Sequence, residues 1–261
     1  MSYSIGFAKG GREDISLQPF QVETFKELAQ LFETPLEGAK GTKGYFIRGG
    51  DLELYDTYTT SGGHTFKNIY PRCDAALRTG DFLILDIDKG KNNAKAPTLE
   101  EISQVLKLLK LNHFGYTTAS HTEEAPKCRV VIPCKLSHKS SLISTLLVLK
   151  KEINNYECYP DAAGSEERTW AIPWFFPTET ENFHFVGWYE GSDFTEILDS
   201  AGVLDHLPSK ALGKVTPVAE MIACITTGTK GTGVHQAINN VIHGLLEDGV
   251  APAFAEAILQ G

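Results

Sequence analysis

Two hydrophobic periods alternate along this chain, and the points where one gives way to the other predict its elements. Residues 1–20, with Gly6, Gly10 and Gly11, read as a strand and loops. Residues 22–33 place Phe25, Leu28, Ala29 and Phe32 on one side at helical spacing, and Thr34-Pro35 stops the run. A glycine- and lysine-rich stretch, 38–50, holds a short strand at 45–48; a second piece at 52–55 and a polar turn at 57–63 extend this to a strand meander. The strongest strand signal follows, Asp81-Phe-Leu-Ile-Leu-Asp-Ile-Asp88. With a side-chain period of two, Leu83, Leu85 and Ile87 share one face, and Ile84, Asp86 and Asp88 share the other.

Thr98 and Glu101 form a capping box that opens a helix with Leu99, Ile102, Leu106 and Leu109 as its apolar stripe. Strands at 113–119 and 128–132, separated by a turn at 122–126, predict a hairpin. Residues 137–154 form a second helix with Leu142, Leu146, Leu149 and Ile153 inward, and 169–172 a last short strand stopped by Pro173. Strand, helix, strand, strand, helix, strand is the split βαβ order of sheets like the RNA-recognition motif, so the fold class is α+β, with an N-terminal α/β lobe in front. That topology puts the acidic strand near the middle of the sheet. The aromatic run 174–188 is core rather than a base-stacking platform, since such rings prefer burial. Residues 204–217 read as a linker. The segments 218–226, 234–247 and 253–260 are three short helices, and the glycine-rich loop 228–233 lacks the Gly-Lys-Ser/Thr end of a P-loop.

Composition is that of an ordinary globular protein, without a membrane-length apolar run or a signal peptide, so the expected location is the cytoplasm. The five cysteines form no Cys-x-x-Cys pair and read as reduced, mostly buried thiols; a zinc site would have to be assembled from Cys128, Cys134 and His138. The net charge of −9 is unevenly spread. From Lys89 to Lys151, eleven Lys or Arg face four Glu, a sector of about +7 that leaves about −16 elsewhere. A basic sector beside an acidic site suits a negatively charged substrate.

Two carboxylates adjacent on one strand face repel each other unless a cation lies between them, which makes Asp86 and Asp88 a candidate divalent-metal site; the plainer reading is a solvated strand end. The hairpin weighs on that choice. His121 ends one of its strands, Lys127 and Arg129 begin the next, and a His, a Lys and an Arg beside a carboxylate pair suit a triphosphate. Arg72 and Arg78, just upstream, could face phosphate but read first as surface arginines.

On these residues the chain resembles the archaeo-eukaryotic primase superfamily, in particular the primase-polymerases of phages and plasmids. The family's three motifs resemble Leu85-Asp86-Ile87-Asp88, Ala119-Ser120-His121 and Tyr159-Pro160-Asp161, with 120–133 and 166–173 adding to the likeness. Asp161 departs from the pattern by following a proline in a loop instead of closing a hydrophobic strand. The resemblance covers about residues 40–190. It implies a catalytic domain over 1–206 and a small helical domain over 216–261. It also implies two Mg²⁺ or Mn²⁺ ions on Asp86, Asp88 and Asp161, with Ser120, His121, Lys127, Arg129 and Arg168 binding the nucleotide. The implied partners are single-stranded DNA, NTPs or dNTPs and a helicase domain or protein, with no membrane; the implied location is a bacterial host's cytoplasm or nucleoid.

Two other readings compete. An Asp-x-Asp phosphatase of the haloacid-dehalogenase type wants Thr or Val where this chain has Gly90, and wants the motif near the start of its domain. A replication initiator would keep the palm as a DNA-binding module without turnover.

Overall fold

A computed structural model describes residues 2–11, 13–38, 44–89, 95–136, 139–156, 158 and 170–196. In chain order the elements are β1 (Tyr3–Ala8), β2 (Ser16–Val22), α1 (Phe25–Glu33), β3 (Tyr45–Ile47), β4 (Tyr55–Thr59), β5 (Thr65–Pro71) and β6 (Gly80–Ile87). Then come α2 (Leu99–Leu108), β7 (His113–Thr117), β8 (Cys128–Leu136), α3 (Lys139–Asn154), β9 (Trp174–Phe175) and β10 (Phe185–Tyr189). The strands form two sheets, one of order β4-β5-β2-β1-β3-β9 and one of order β10-β7-β8-β6, and the fold is α+β.

Both helix starts follow from local chemistry. Thr24 accepts from the Glu27 backbone N–H while the Glu27 carboxylate reaches back to the Thr24 N–H, and Thr98 and Glu101 repeat this at α2. Each box satisfies two N–H groups that the first helical turn leaves without partners.

The alternation in β6 divides the core. Leu83, Leu85 and Ile87 pack with α2 and α3, where Leu142, Leu146, Leu149 and Ile153 are buried as their spacing requires. Phe82 and Ile84 point the other way, into a layer with α1, β1 and β3. Phe32 of α1 is the hub of this second layer, with ring centroids 4.8 Å from Phe46, 5.1 Å from Phe114 and 5.7 Å from Tyr116. Rings of this size contribute most of the apolar area such a layer buries.

The hairpin expected at 113–132 is present. Phe114 pairs with Val131 and Tyr116 with Arg129, while β6 lies on the other side of β8 with Asp86 opposite Arg129. Pro133, which has no N–H to give a ladder, lies where the β6–β8 register shifts and beyond the start of β7.

Three expectations are corrected. Among the described residues, β6 is the edge strand of the four-stranded sheet, not near its middle. The closing strand expected at 169–172 is a turn at Trp170 and Ala171, and the outer place beyond β7 is taken by β10 from the aromatic run. Trp170 turns inward instead, its indole N–H donating to the Leu77 carbonyl oxygen at 2.5 Å, which suits a fully buried ring better than a ladder position. In the meander, the polar run 57–63 is half strand, because β4 and β5 form a hairpin through Tyr55↔Ile69 and Tyr58↔Phe66, with the turn only at 60–64. The aromatic run is packed as expected: Trp174 is buried, and Phe176, Phe183, Phe185 and Trp188 pack against the second layer. The sequence beyond residue 196, including the C-terminal helices and the domain 216–261, lies outside the described residues.

Candidate functional site

The site is built at the C-terminal end of β6. Antiparallel register aligns Asp86, Arg129 and Tyr116 in one row across β6, β8 and β7, on the face turned away from α2 and α3. Within that row, Arg129 Nε donates to Asp86 Oδ1 at 2.8 Å, and the two side chains are only 11% and 12% exposed. The second sheet covers them. Arg129 Nη1 donates to the Phe175 carbonyl oxygen at 3.2 Å, and Tyr116 Oη donates to the same oxygen at 3.1 Å. The Arg129 guanidinium lies 5.2 Å from the Trp174 ring centroid, and that of Arg48 lies 5.8 Å from it.

Burial works against the charge of Arg129, but Tyr116 and Asp86 outweigh it and hold its pKa above the ordinary value. Burial likewise pushes the Tyr116 phenol up to about 12, with Arg129 opposing that shift. The row therefore keeps a charged guanidinium and a neutral phenol throughout the physiological range.

Asp88 lies just past the last ladder pair, Ile87↔Cys128, and is exposed. The same end of the sheet carries the β7–β8 turn. There the His121 backbone N–H donates to the Thr118 carbonyl, and the Lys127 N–H donates to His121 Nδ1 at 3.0 Å. With Nδ1 accepting, the neutral ring carries its hydrogen on Nε2, which becomes the donor for a ligand. Lys127 is half-buried at the foot of β8, and Ser120 is exposed on the turn.

Thus the structure brings Asp86, Asp88, Ser120, His121, Lys127 and Arg129 to one end of one sheet. Asp161 and Arg168 lie outside the described residues. Of the zinc candidates, Cys128 and Cys134 are free thiols buried in the core, and His138 is also outside. Arg78 pairs with Glu53 at the surface, and Arg72 lies over the Tyr45 ring at 5.3 Å. Sequence reasoning missed Tyr116, Trp174 and the Phe175 carbonyl. Tyr116 had a signal, because it lies near the end of the strand that leads into the Ala119-Ser120-His121 motif; β9 had none, because it pairs with β3 and not with the acidic strand's sheet.

No family model, no curated protein and no solved structure matches this chain.

The donor set suits a hard divalent cation in kind, since carboxylate oxygens are what Mg²⁺ and Mn²⁺ take. Among the described residues, no three His, Cys, Asp or Glu side chains gather at one point. Of the three acids that the resemblance names, Asp86 and Asp88 lie at this sheet end, and the third, Asp161, falls outside the described residues.

Proposed function

We propose that this chain is a template-directed nucleotidyltransferase of the primase-polymerase kind, working on a palm built from β6, α2, β7, β8 and α3. The observation that carries the reading is the meeting, at one sheet end, of Asp86 of β6 and Asp88 just beyond it with His121, Lys127 and Arg129 from the neighbouring hairpin. Support comes also from the strand order: β8 lies between β6 and β7, as in a split βαβ unit, and the acids are on the face away from the helices.

In this reading the exposed Asp88 and the more enclosed Asp86 hold the metal, with Asp161 as third ligand. Two Mg²⁺ or Mn²⁺ ions would supply activation of the attacking hydroxyl and stabilisation of the leaving pyrophosphate. The chain's own groups do the rest. His121 donates from Nε2 to a phosphate oxygen, its ring fixed by the Lys127 N–H, and the Lys127 ammonium offsets phosphate charge beside it. Single-stranded DNA is the template, held by backbone attraction that weakens with salt.

A second reading has a specific observation behind it. Asp86 is already neutralised by Arg129, which is what a DNA-binding module without turnover would require of a buried carboxylate.

The deciding experiment is nucleotide incorporation on single-stranded DNA with Mg²⁺ or Mn²⁺, with and without primer, for the wild type and for Asp86→Ala/Asp88→Ala. Metal-dependent products that vanish in the double variant support nucleotidyl transfer, and products without primer make it a primase. Absence of products with retained DNA binding supports the non-catalytic module. Hydrolysis of a phosphomonoester in place of incorporation supports the phosphatase.

A further inference from the structure

Arg129 is set in place by two other strands, β6 and β9. Its Nε is given to Asp86 of β6 at 2.8 Å, its Nη1 to the backbone of β9 at 3.2 Å, and its guanidinium carbon lies over the Trp174 ring, 5.2 Å from the centroid. Tyr116, fully buried on β7 and opposite Arg129 in the ladder, donates its hydroxyl to the same β9 carbonyl at 3.1 Å. A guanidinium that cradles phosphate offers its in-plane N–H fork to the ligand. Here two of its three nitrogens, Nε and Nη1, already have partners inside the protein, and the side chain is 11% exposed. Lys127 and His121, by contrast, lie on the turn where a ligand can arrive.

We infer that Arg129 is a positioning residue, not one of the cations that meet the nucleotide's phosphates: it orients the Asp86 carboxylate and takes its own orientation from β9 of the second sheet. The inference rests on the nucleotidyl-transfer reading. Holding Oδ1 with a charged donor restrains the carboxylate and leaves Oδ2 to a metal, for which the ligand would already be aimed. Outer partners of metal ligands act in this way, and their loss costs about 10–100-fold in metal affinity or activity. The placement also gives β9 a role. Its two residues pair with Tyr45 and Phe46, so the position of the guanidinium is referred to β3 and through it to the six-stranded sheet.

The test uses Arg129→Lys and Tyr116→Phe in the full chain. Lys keeps the charge but lacks the planar fork that serves Asp86 and the Phe175 carbonyl together, and Phe removes only the hydroxyl that helps hold that carbonyl in place. Mn²⁺ binding is read by calorimetry and by electron paramagnetic resonance, and incorporation kinetics are resolved into kcat and KM. The expected result for Arg129→Lys is Mn²⁺ affinity reduced by about tenfold or more. Its kcat should fall in step while KM for the nucleotide stays within about twofold. Tyr116→Phe should follow in the same direction by a smaller factor, and it carries the test if the Lys variant fails to fold. Unchanged Mn²⁺ affinity with KM raised about tenfold would make Arg129 a phosphate cation and overturn the inference. A wild type that neither binds Mn²⁺ nor incorporates nucleotide overturns the nucleotidyl-transfer reading itself, and this inference with it.

Discussion

Arg129 Nε sits 2.8 Å from Asp86 Oδ1, in a place where neither side chain has much water to fall back on. Breaking a buried pair from one side leaves an uncompensated charge, which costs about 3–5 kcal/mol. Arg129→Ala should lower stability by that amount. Asp86→Leu combined with Arg129→Met should cost far less than the two single changes added together. Urea unfolding of the four proteins closes the cycle, and additive losses would count against the pair as a coupled unit.

Asp88 separates chemistry from stability. Its side chain is exposed at the end of β6, so Asp88→Asn should change stability by no more than about 0.5 kcal/mol. Metal-dependent incorporation should nonetheless fall by about 10²-fold or more, since the charge that attracts the cation is gone. Thermal melts and primer extension on the same preparation check both halves.

His113 gives the fold a pH dependence. Its Nδ1–H donates to the Leu111 carbonyl at 2.8 Å and its Nε2 lies 2.8 Å from Ser103 Oγ, so the buried ring is neutral. Burial lowers its pKa from 6.5 to about 4, with the Leu111 bond opposing and Lys107 adding to the shift. Between those values the unfolded chain binds a proton that the folded chain does not. The stability is therefore complete above pH 6.5 and is lost as pH falls to about 4, by about 3 kcal/mol in all. Denaturant midpoints measured across that window should decline in the wild type and decline less in His113→Gln.

Gly49 marks a close approach of β3's exit to β1. A Cβ there would collide with the Ser4 carbonyl oxygen and come within 2.8 Å of Phe82 Cε1. Gly49→Ala should cost about 3 kcal/mol, at the upper end for overpacking, because a backbone atom cannot step aside as a side chain can. Gly187→Ala in β10, with open space around the added methyl, should stay within about 0.5 kcal/mol. Differential scanning calorimetry of the two variants makes the comparison.

What the sequence determined by itself was local. The period of three to four placed α1, α2 and α3 on their buried faces, the Thr98–Glu101 box marked the start of α2, and the period of two put Asp86 on the face opposite Leu85 and Ile87. The hairpin 113–132 was legible because both strands and their turn lie within twenty residues. These features depend on neighbours in the chain, and side-chain spacing reports them directly. The choice of sheet partners was decided only in three dimensions. No spacing tells β10 to settle beyond β7 and leave β6 at the edge, nor sends Trp174 and Phe175 to β3, more than 120 residues earlier. That pairing is what covers Asp86 and Arg129 and turns a strand-end acid and a hairpin arginine into a shielded ion pair. Its energy comes from removing water between two sheets, a property of surfaces that meet only after the chain has folded.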